Sequence, residues 1–191
     1  MKGGAAFIGF NFFRPSPRYV TPEAAGQLAA LVPPQVKKVA VLADPAADEL
    51  QKIFAHFKPD MLQLHGREPP QRVQELKERY RLPIKALPIA AAKDFEAAKV
   101  YEKVADYFLF EGKPPQGSAL PGGNASSFDW KLLQGRTFAK PWFLAGGLNA
   151  KNVKEAVELS RATAVDISSG VERAPGEKDT GMIREALALV S

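Results

Sequence analysis

Short apolar runs of β-like composition recur through this chain at a nearly constant interval, and that interval limits the folds open to it. The runs are "AFIGFNF" from position 6, "KVAVLA" from 38, "MLQLH" from 61, "IKALPI" from 84, "YFLFE" from 107, "WFLAGG" from 142 and "AVDISSG" from 164. Four of the six intervals are 22 or 23 residues, the length of one strand, one helix and two short loops. The runs are almost continuous in apolar residues rather than alternating, as expected of parallel strands covered on both faces. Helix signals fill the spaces between them. "TPEAAGQLAALV" offers a Thr cap followed by Pro and Glu, and "DPAADELQKIFAHF" sets Leu50, Ile53, Phe54 and Phe57 on one stripe. "NAKNVKEAVELS" and "KDTGMIREALALV" repeat the pattern.

Seven such units fit either a doubly wound open sheet or a (β/α)8 barrel short of one unit. Barrels run to roughly 250 residues, with about 200 as the lower end, and this chain has 191. No linker divides it, so residues 1–191 read as a single domain. The longest irregular stretch, "GKPPQGSALPGGNASS" at 112–127, has the length of a functional or disordered loop.

Composition removes several function classes. The chain has no cysteine, which excludes disulfides, thiolate metal sites and cysteine catalysis within it. No apolar run approaches the roughly 20 residues of a membrane span. Met1 leads into Gly-Gly and a short aromatic strand rather than an export signal, so the expected compartment is the cytoplasm. The net charge is +5, but Lys and Arg are scattered among Glu, as in "QRVQELKERYR". That is a solvated helix face and not a nucleic-acid footprint. A modest positive excess suits an anionic small molecule.

Two small-residue loops follow the last two strand-like runs. "LAGGLN" places Gly146 and Gly147 after one, and "DISSGVE" places Ser168, Ser169 and Gly170 after the other. Such loops let backbone N–H groups converge on a phosphate, although each glycine alone also serves a tight turn. In (β/α)8 barrels the phosphate site follows strands seven and eight, often with a short extra helix. "GVERAPGEKD" stands where that helix belongs. With "AVDISSG" as strand eight, "AFIGFNF" becomes strand two, and strand one and its helix are expected to be missing, with Gly3, Gly4 and Ala5 ending the first connection. His65 in "QLHGREPP" either binds substrate or hydrogen-bonds the rim. Arg14 and Arg18 in "FRPSPRY" are cations on a proline-stiffened loop, suited to clamping a carboxylate or phosphate or, for Arg14 especially, simply lying on the surface.

In order and separation, "GFNFFRPSPRYV", "LQLHG", "SSFDW", "LAGGLNAKNV" and "VDISSGVERAPGEKD" resemble phosphoribosylanthranilate isomerase from Gly3 to the C-terminus. The resemblance implies a (β/α)8 barrel of tryptophan biosynthesis. Its reaction is an Amadori rearrangement of N-(5-phosphoribosyl)anthranilate to the aminodeoxyribulose phosphate, with no cofactor and no metal. It also implies that Arg18 holds the anthranilate carboxylate and that Asp166 lines the pocket base. Gly146, Gly147, Ser168, Ser169 and Gly170 then cradle the phosphate. Two departures concern catalysis. The family's general base is a cysteine in a Lys-Ile-Cys-Gly stretch on strand one, and this chain has no cysteine. Its general acid is an aspartate, where this chain offers Glu111. The expected partner is a phosphorylated small molecule, with neither nucleic acid nor membrane. Unpaired strand edges are expected to give an open or distorted barrel, or self-association through "AFIGFNF". The alternative reading is a non-catalytic phosphosugar-binding relative; another phosphate-binding barrel enzyme is a third.

Overall fold

Six of the seven apolar runs become strands of one parallel sheet. In the computed structural model, which describes residues 4–80, 82–114, 117 and 126–190, these are β1 (Phe7–Asn11), β2 (Lys37–Leu42), β3 (Met61–Leu64), β4 (Pro83–Ile89), β5 (Tyr107–Gly112) and β6 (Trp142–Leu144). They pair in chain order, every pair parallel. The sheet curls into a half-barrel with its helices outside. The seventh run lies beside β6 but contributes only isolated bridges among the described residues, Val165 to Leu144 and Gly170 to Asn149. Leu144 N–H donates to Ala164 O at 3.0 Å and Asp166 N–H to Leu144 O at 2.8 Å. Beyond Asp166 the chain turns at Ser168, whose carbonyl accepts Val171 N–H at 3.3 Å, so no longer ladder forms. Gly3 and most of the 112–127 loop fall outside the described residues.

The expected helices form with small shifts of boundary. They are α1 (Pro22–Ala29), α2 (Ala47–His56), α3 (Pro70–Tyr80), α4 (Glu96–Tyr101), α5 (Val153–Ser160) and α6 (Thr180–Ala188). Thr21 Oγ1 accepts Ala24 N–H at 3.2 Å, the cap its sequence position announces. Helix α2 starts at Ala47 rather than at Asp44-Pro45. Asp44 takes a left-handed conformation (φ 47°), and its carboxylate accepts Arg67 N–H at 2.8 Å. "GVERAPGEKD" is not the extra helix expected. It is an antiparallel hairpin, β7 (Glu172–Ala174) and β8 (Glu177–Lys178). Pro175-Gly176 forces the reversal: Gly176 sits at φ +89°, and a Cβ there would lie 2.6 Å from the Pro17 carbonyl oxygen. The hairpin is thereby seated on the loop after β1.

Strand parity sorts the side chains into two layers. Phe10, Leu42, Leu62 and Leu64 point outward against Leu50, Ile53, Phe57 and Leu76 of the helices. Phe108, Phe110 and Leu144 do the same further along. The opposite parity places Val39, Met61, Ile84, Leu109 and Phe143 on the concave face. Phe7 of β1 reaches Phe143 of β6 edge-on, with ring centroids 5.2 Å apart. No helix among the described residues is long and apolar enough to cross a membrane.

Phe57 ties α2 to β1. It is fully buried, its ring 4.8 Å from that of Phe10 and 5.4 Å from that of Phe12. Phe57→Ala should cost about 3–5 kcal/mol, read as a lower urea midpoint with an unchanged slope. A loss below about 1 kcal/mol would mean that this layer is not the close-packed core described.

Candidate active site

The inward parity changes character toward the carboxyl ends of the strands. Asn11, Gln63, His65, Glu111 and Asp166 all open into one cavity of about 1030 Å³. Arg18, Gly146, Gly147, Ser168 and Ser169 line the same cavity. The structure therefore gathers every site residue expected from sequence except Gly170, which bridges to Asn149 beside it. Arg14 lies elsewhere, in a surface groove between α1 and α2, its guanidinium 5.4 Å from the Tyr19 ring centroid.

At one end of the cavity, His65 and Glu111 form a pair. Nδ1 lies 3.3 Å from Glu111 Oε1, with both side chains nearly buried. Nε2 is buried and has no partner among the described residues. Burial works against a charged imidazole, as does the buried Lys85 ammonium nearby. The Glu111 carboxylate, joined by Asp166, outweighs them and raises the His65 pKa above its ordinary value. Asp166 Oδ2 in turn accepts Gln63 Nε2–H at 3.1 Å. Gln63 escaped the sequence reading, although it stands two residues before His65 and so shares its face.

The two glycine- and serine-bearing loops meet at the Asn149–Gly170 bridge. Gly146 has φ +89°, and a Cβ on it would lie 2.5 Å from Ser126 O and 2.8 Å from Gly112 N. No larger residue fits without moving backbone. Neither the Gly147 nor the Ser169 N–H donates to any described group, both residues line the cavity, and an unpaired amide there is free to receive an anion.

Arg18 arrives on the loop after β1 and is not a free cation. Its Nε–H and Nη2–H donate to Glu172 Oε1 and Oε2 at 2.9 and 2.8 Å. Lys178 Nζ lies 2.8 Å from Glu172 Oε1 and donates to Ser168 O at 2.7 Å. Burial resists ionisation of Glu172, but the two cations prevail and hold its pKa down at about 2. Glu172 and Lys178 were legible only as members of a motif, because a chain distance of 154 residues separates Glu172 from Arg18.

The His65 shift gives a signed pH dependence. A raised folded-state pKa contributes stability that is present below the unfolded value of 6.5 and is lost as pH rises through the folded value. Glu111→Gln removes the principal raising charge, so His65 should titrate lower, following burial. Imidazole resonances followed by NMR read this directly, with the exposed His56 as internal reference. An unchanged His65 titration in the variant would show that the two side chains are not coupled.

Residues 1–188 match the family model described as N-(5'phosphoribosyl)anthranilate (PRA) isomerase. The chain is 50% identical over 185 residues to N-(5'-phosphoribosyl)anthranilate isomerase of Paramagnetospirillum magneticum, covering 96% of this chain and 86% of the relative. It is likewise 50% identical over 192 residues to the Brucella canis enzyme of the same name, covering 100% and 86%. Its fold is similar to the crystal structure of phosphoribosyl anthranilate isomerase from Thermotoga maritima, with TM-score 0.87 and 33% identity over 99% of this chain and 89% of that one. A second isomerase structure, in complex with reduced 1-(o-carboxyphenylamino)-1-deoxyribulose 5-phosphate, matches with TM-score 0.84 and 31% identity over the same shares. With half its residues shared along nearly its whole length, this chain belongs to the N-(5'-phosphoribosyl)anthranilate isomerase family.

Proposed function

We propose that this chain is built for the Amadori rearrangement of N-(5-phosphoribosyl)anthranilate to 1-(2-carboxyphenylamino)-1-deoxyribulose 5-phosphate, the isomerase step of tryptophan biosynthesis. The observation that carries the assignment of roles is the single cavity flanked by a guanidinium on one loop and by unpaired backbone amides on two others. The phosphate sits on the Gly147 and Ser169 amides, with Gly146, Ser168 and Gly170 shaping the cradle. Arg18 takes the anthranilate carboxylate. Asp166, fixed by Gln63, closes the base of the pocket, and His65 contacts the substrate from the wall. The solved relative that holds a carboxyphenylamino deoxyribulose phosphate supports a phosphorylated small-molecule ligand for this chain too.

Glu111 is the general acid. The reaction opens by protonating the ribose ring oxygen, which breaks the C1–O bond and leaves a Schiff base at C1. Removal of the C2 proton then gives an enolamine, and its tautomerisation yields the ketone at C2. Glu111 stands against His65 Nδ1 and raises the His65 pKa above its ordinary value, and in this reading the proton reaches the ring oxygen through Glu111. The family's cysteine base has no counterpart in these 191 residues.

The half-barrel corresponds in this reading to seven of the eight βα units of one barrel domain over residues 1–191, the first unit being the one not represented. Two features support this. The chain spans 86% and 89% of two relatives it matches, and β1 and residues 162–167 both line the cavity without pairing with each other. Those two edges also offer a route to self-association.

Complementation of a tryptophan auxotroph lacking this isomerase tests the reading, using the chain alone and the chain extended by a βα unit bearing Lys-Ile-Cys-Gly. The extended chain should support growth and the unextended one should grow weakly or not at all, because a positioned base contributes about 10²–10⁴-fold. Glu111→Gln in the extended chain should lower kcat by a similar factor. Full growth from the unextended chain would show that the base lies among the residues described. No growth from either, with no binding of ribose 5-phosphate, would remove the assignment of roles.

A further inference from the structure

We infer that Glu172 is a positioning residue that ties the carboxylate anchor Arg18 to the phosphate loop at Ser168–Ser169, so that the two ends of the substrate site are held as one unit. This rests on the roles proposed above for Arg18 and the phosphate loop.

The geometry is a continuous chain of charge-assisted contacts. Glu172 accepts from Arg18 Nε–H at 2.9 Å and Nη2–H at 2.8 Å. Its Oε1 also lies 2.8 Å from Lys178 Nζ. Lys178 then donates to Ser168 O at 2.7 Å and contacts Ser168 Oγ at 3.2 Å. Glu172 and Lys178 are directly opposed across the hairpin, so the backbone holds them side by side. The Glu172 side chain is only 4% exposed, and water therefore competes little for either oxygen. The near end is braced as well: Arg18 N–H donates to Ser16 Oγ at 3.1 Å, and Asn11 Nδ2–H reaches the same oxygen at 3.4 Å.

Each contact leaves a defined set of donors for the substrate. A guanidinium carries five N–H groups in a rigid plane. Glu172 takes the Nε edge, which leaves both Nη1 hydrogens and one Nη2 hydrogen, a second fork matched to a planar carboxylate. At the other end, Lys178 holds the Ser168 carbonyl. In a trans peptide the following N–H points opposite to that carbonyl, so this contact aims the Ser169 amide away from Lys178. Ser168 Oγ accepts from Lys178 and keeps its own hydrogen to donate. Arg18 and Lys178 against the buried Glu172 leave one net positive charge, available to a dianionic or trianionic ligand.

Calorimetry with two probes tests the tie: reduced 1-(o-carboxyphenylamino)-1-deoxyribulose 5-phosphate, and the same compound with an unsubstituted phenyl ring. The ratio of their dissociation constants reads the ring carboxylate alone. In the unaltered chain the carboxylate should tighten binding about ten- to a hundredfold. Glu172→Gln should bring that ratio close to one, and Glu172→Asp should retain part of it, with folding checked by near-UV circular dichroism. Lys178→Met should weaken both probes through the phosphate end and also reduce the ratio through Glu172. A merely structural role for the hairpin would weaken both probes equally and leave the ratio intact in all three variants, which would overturn the inference. A ratio that rises in Glu172→Gln would overturn it too, by showing that Glu172 only neutralises Arg18. If the unaltered chain binds both probes equally, the role given to Arg18 is wrong, and the inference goes with it.

Discussion

The structure depends above all on the parity of parallel strands whose two faces meet different surroundings. One face of each strand packs on helices and must be apolar along its whole length. The other faces the concavity, apolar where the strands begin and polar where they end. On β3 the outward residues are Leu62 and Leu64, while Met61, Gln63 and His65 alternate with them on the inside. On β5 the outward pair is Phe108 and Phe110, and Leu109 is followed inside by Glu111. A shift of β5 by one residue would bury the Glu111 carboxylate under a helix and turn Phe108 and Phe110 to the cavity. The core and the site are therefore specified by the same alternation. The pairing of Leu64 with Lys85 shows the limit of that rule. Lys85 points to the helix side and is buried there, and it is tolerated because Glu68 and the carbonyls of Leu64 and Gly66 all accept from its ammonium.

Much of this was legible in the chain, because the period of strand and helix is written locally. The apolar runs located all six strands, β2 to β5 of them at a 23-residue spacing, and Thr21 announced the start of α1. The seventh run was harder, since its apolar content suits a strand while its ladder is cut short by the Ser168 turn. The hairpin at 172–178 was misread as a helix because its backbone is decided by Gly176 against the Pro17 carbonyl, a contact with a distant loop. The site divides in the same way. Gly146, Gly147, Ser168 and Ser169 betray themselves by composition next to a strand end. Glu172 carries no local sign that its partner is Arg18, because only the closure of the sheet brings them together.

The charges of the site are arranged so that none stands alone in the dry interior. His65 faces Glu111, and Arg18 and Lys178 share Glu172. Such pairing adds little stability by itself, since desolvation offsets most of the Coulomb gain. Its effect is orientation: a guanidinium held on one edge presents the other in a fixed direction, and an imidazole facing a carboxylate keeps its proton at a pH where a free one would release it. Both effects suit the proposed reaction, which needs one proton delivered to an oxygen while two anionic groups are held apart.

The placement of the open edges explains how a half-barrel can still display this site. In the proposed reading the phosphate is held by the loops after β6 and after the bridge at Val165, and the carboxylate by the loop after β1. These loops flank the gap rather than line up on one side of it. What keeps them at a working separation is not backbone pairing, since β1 and residues 164–166 share no ladder. Two side-chain bridges take that part: Phe7 against Phe143 low in the concavity, and the Arg18–Glu172–Lys178–Ser168 chain at its rim. The lower contact is apolar and non-directional, so it limits how far the sheet can uncurl without fixing any donor. The upper one is directional, and it sets where the guanidinium and the serine amide point.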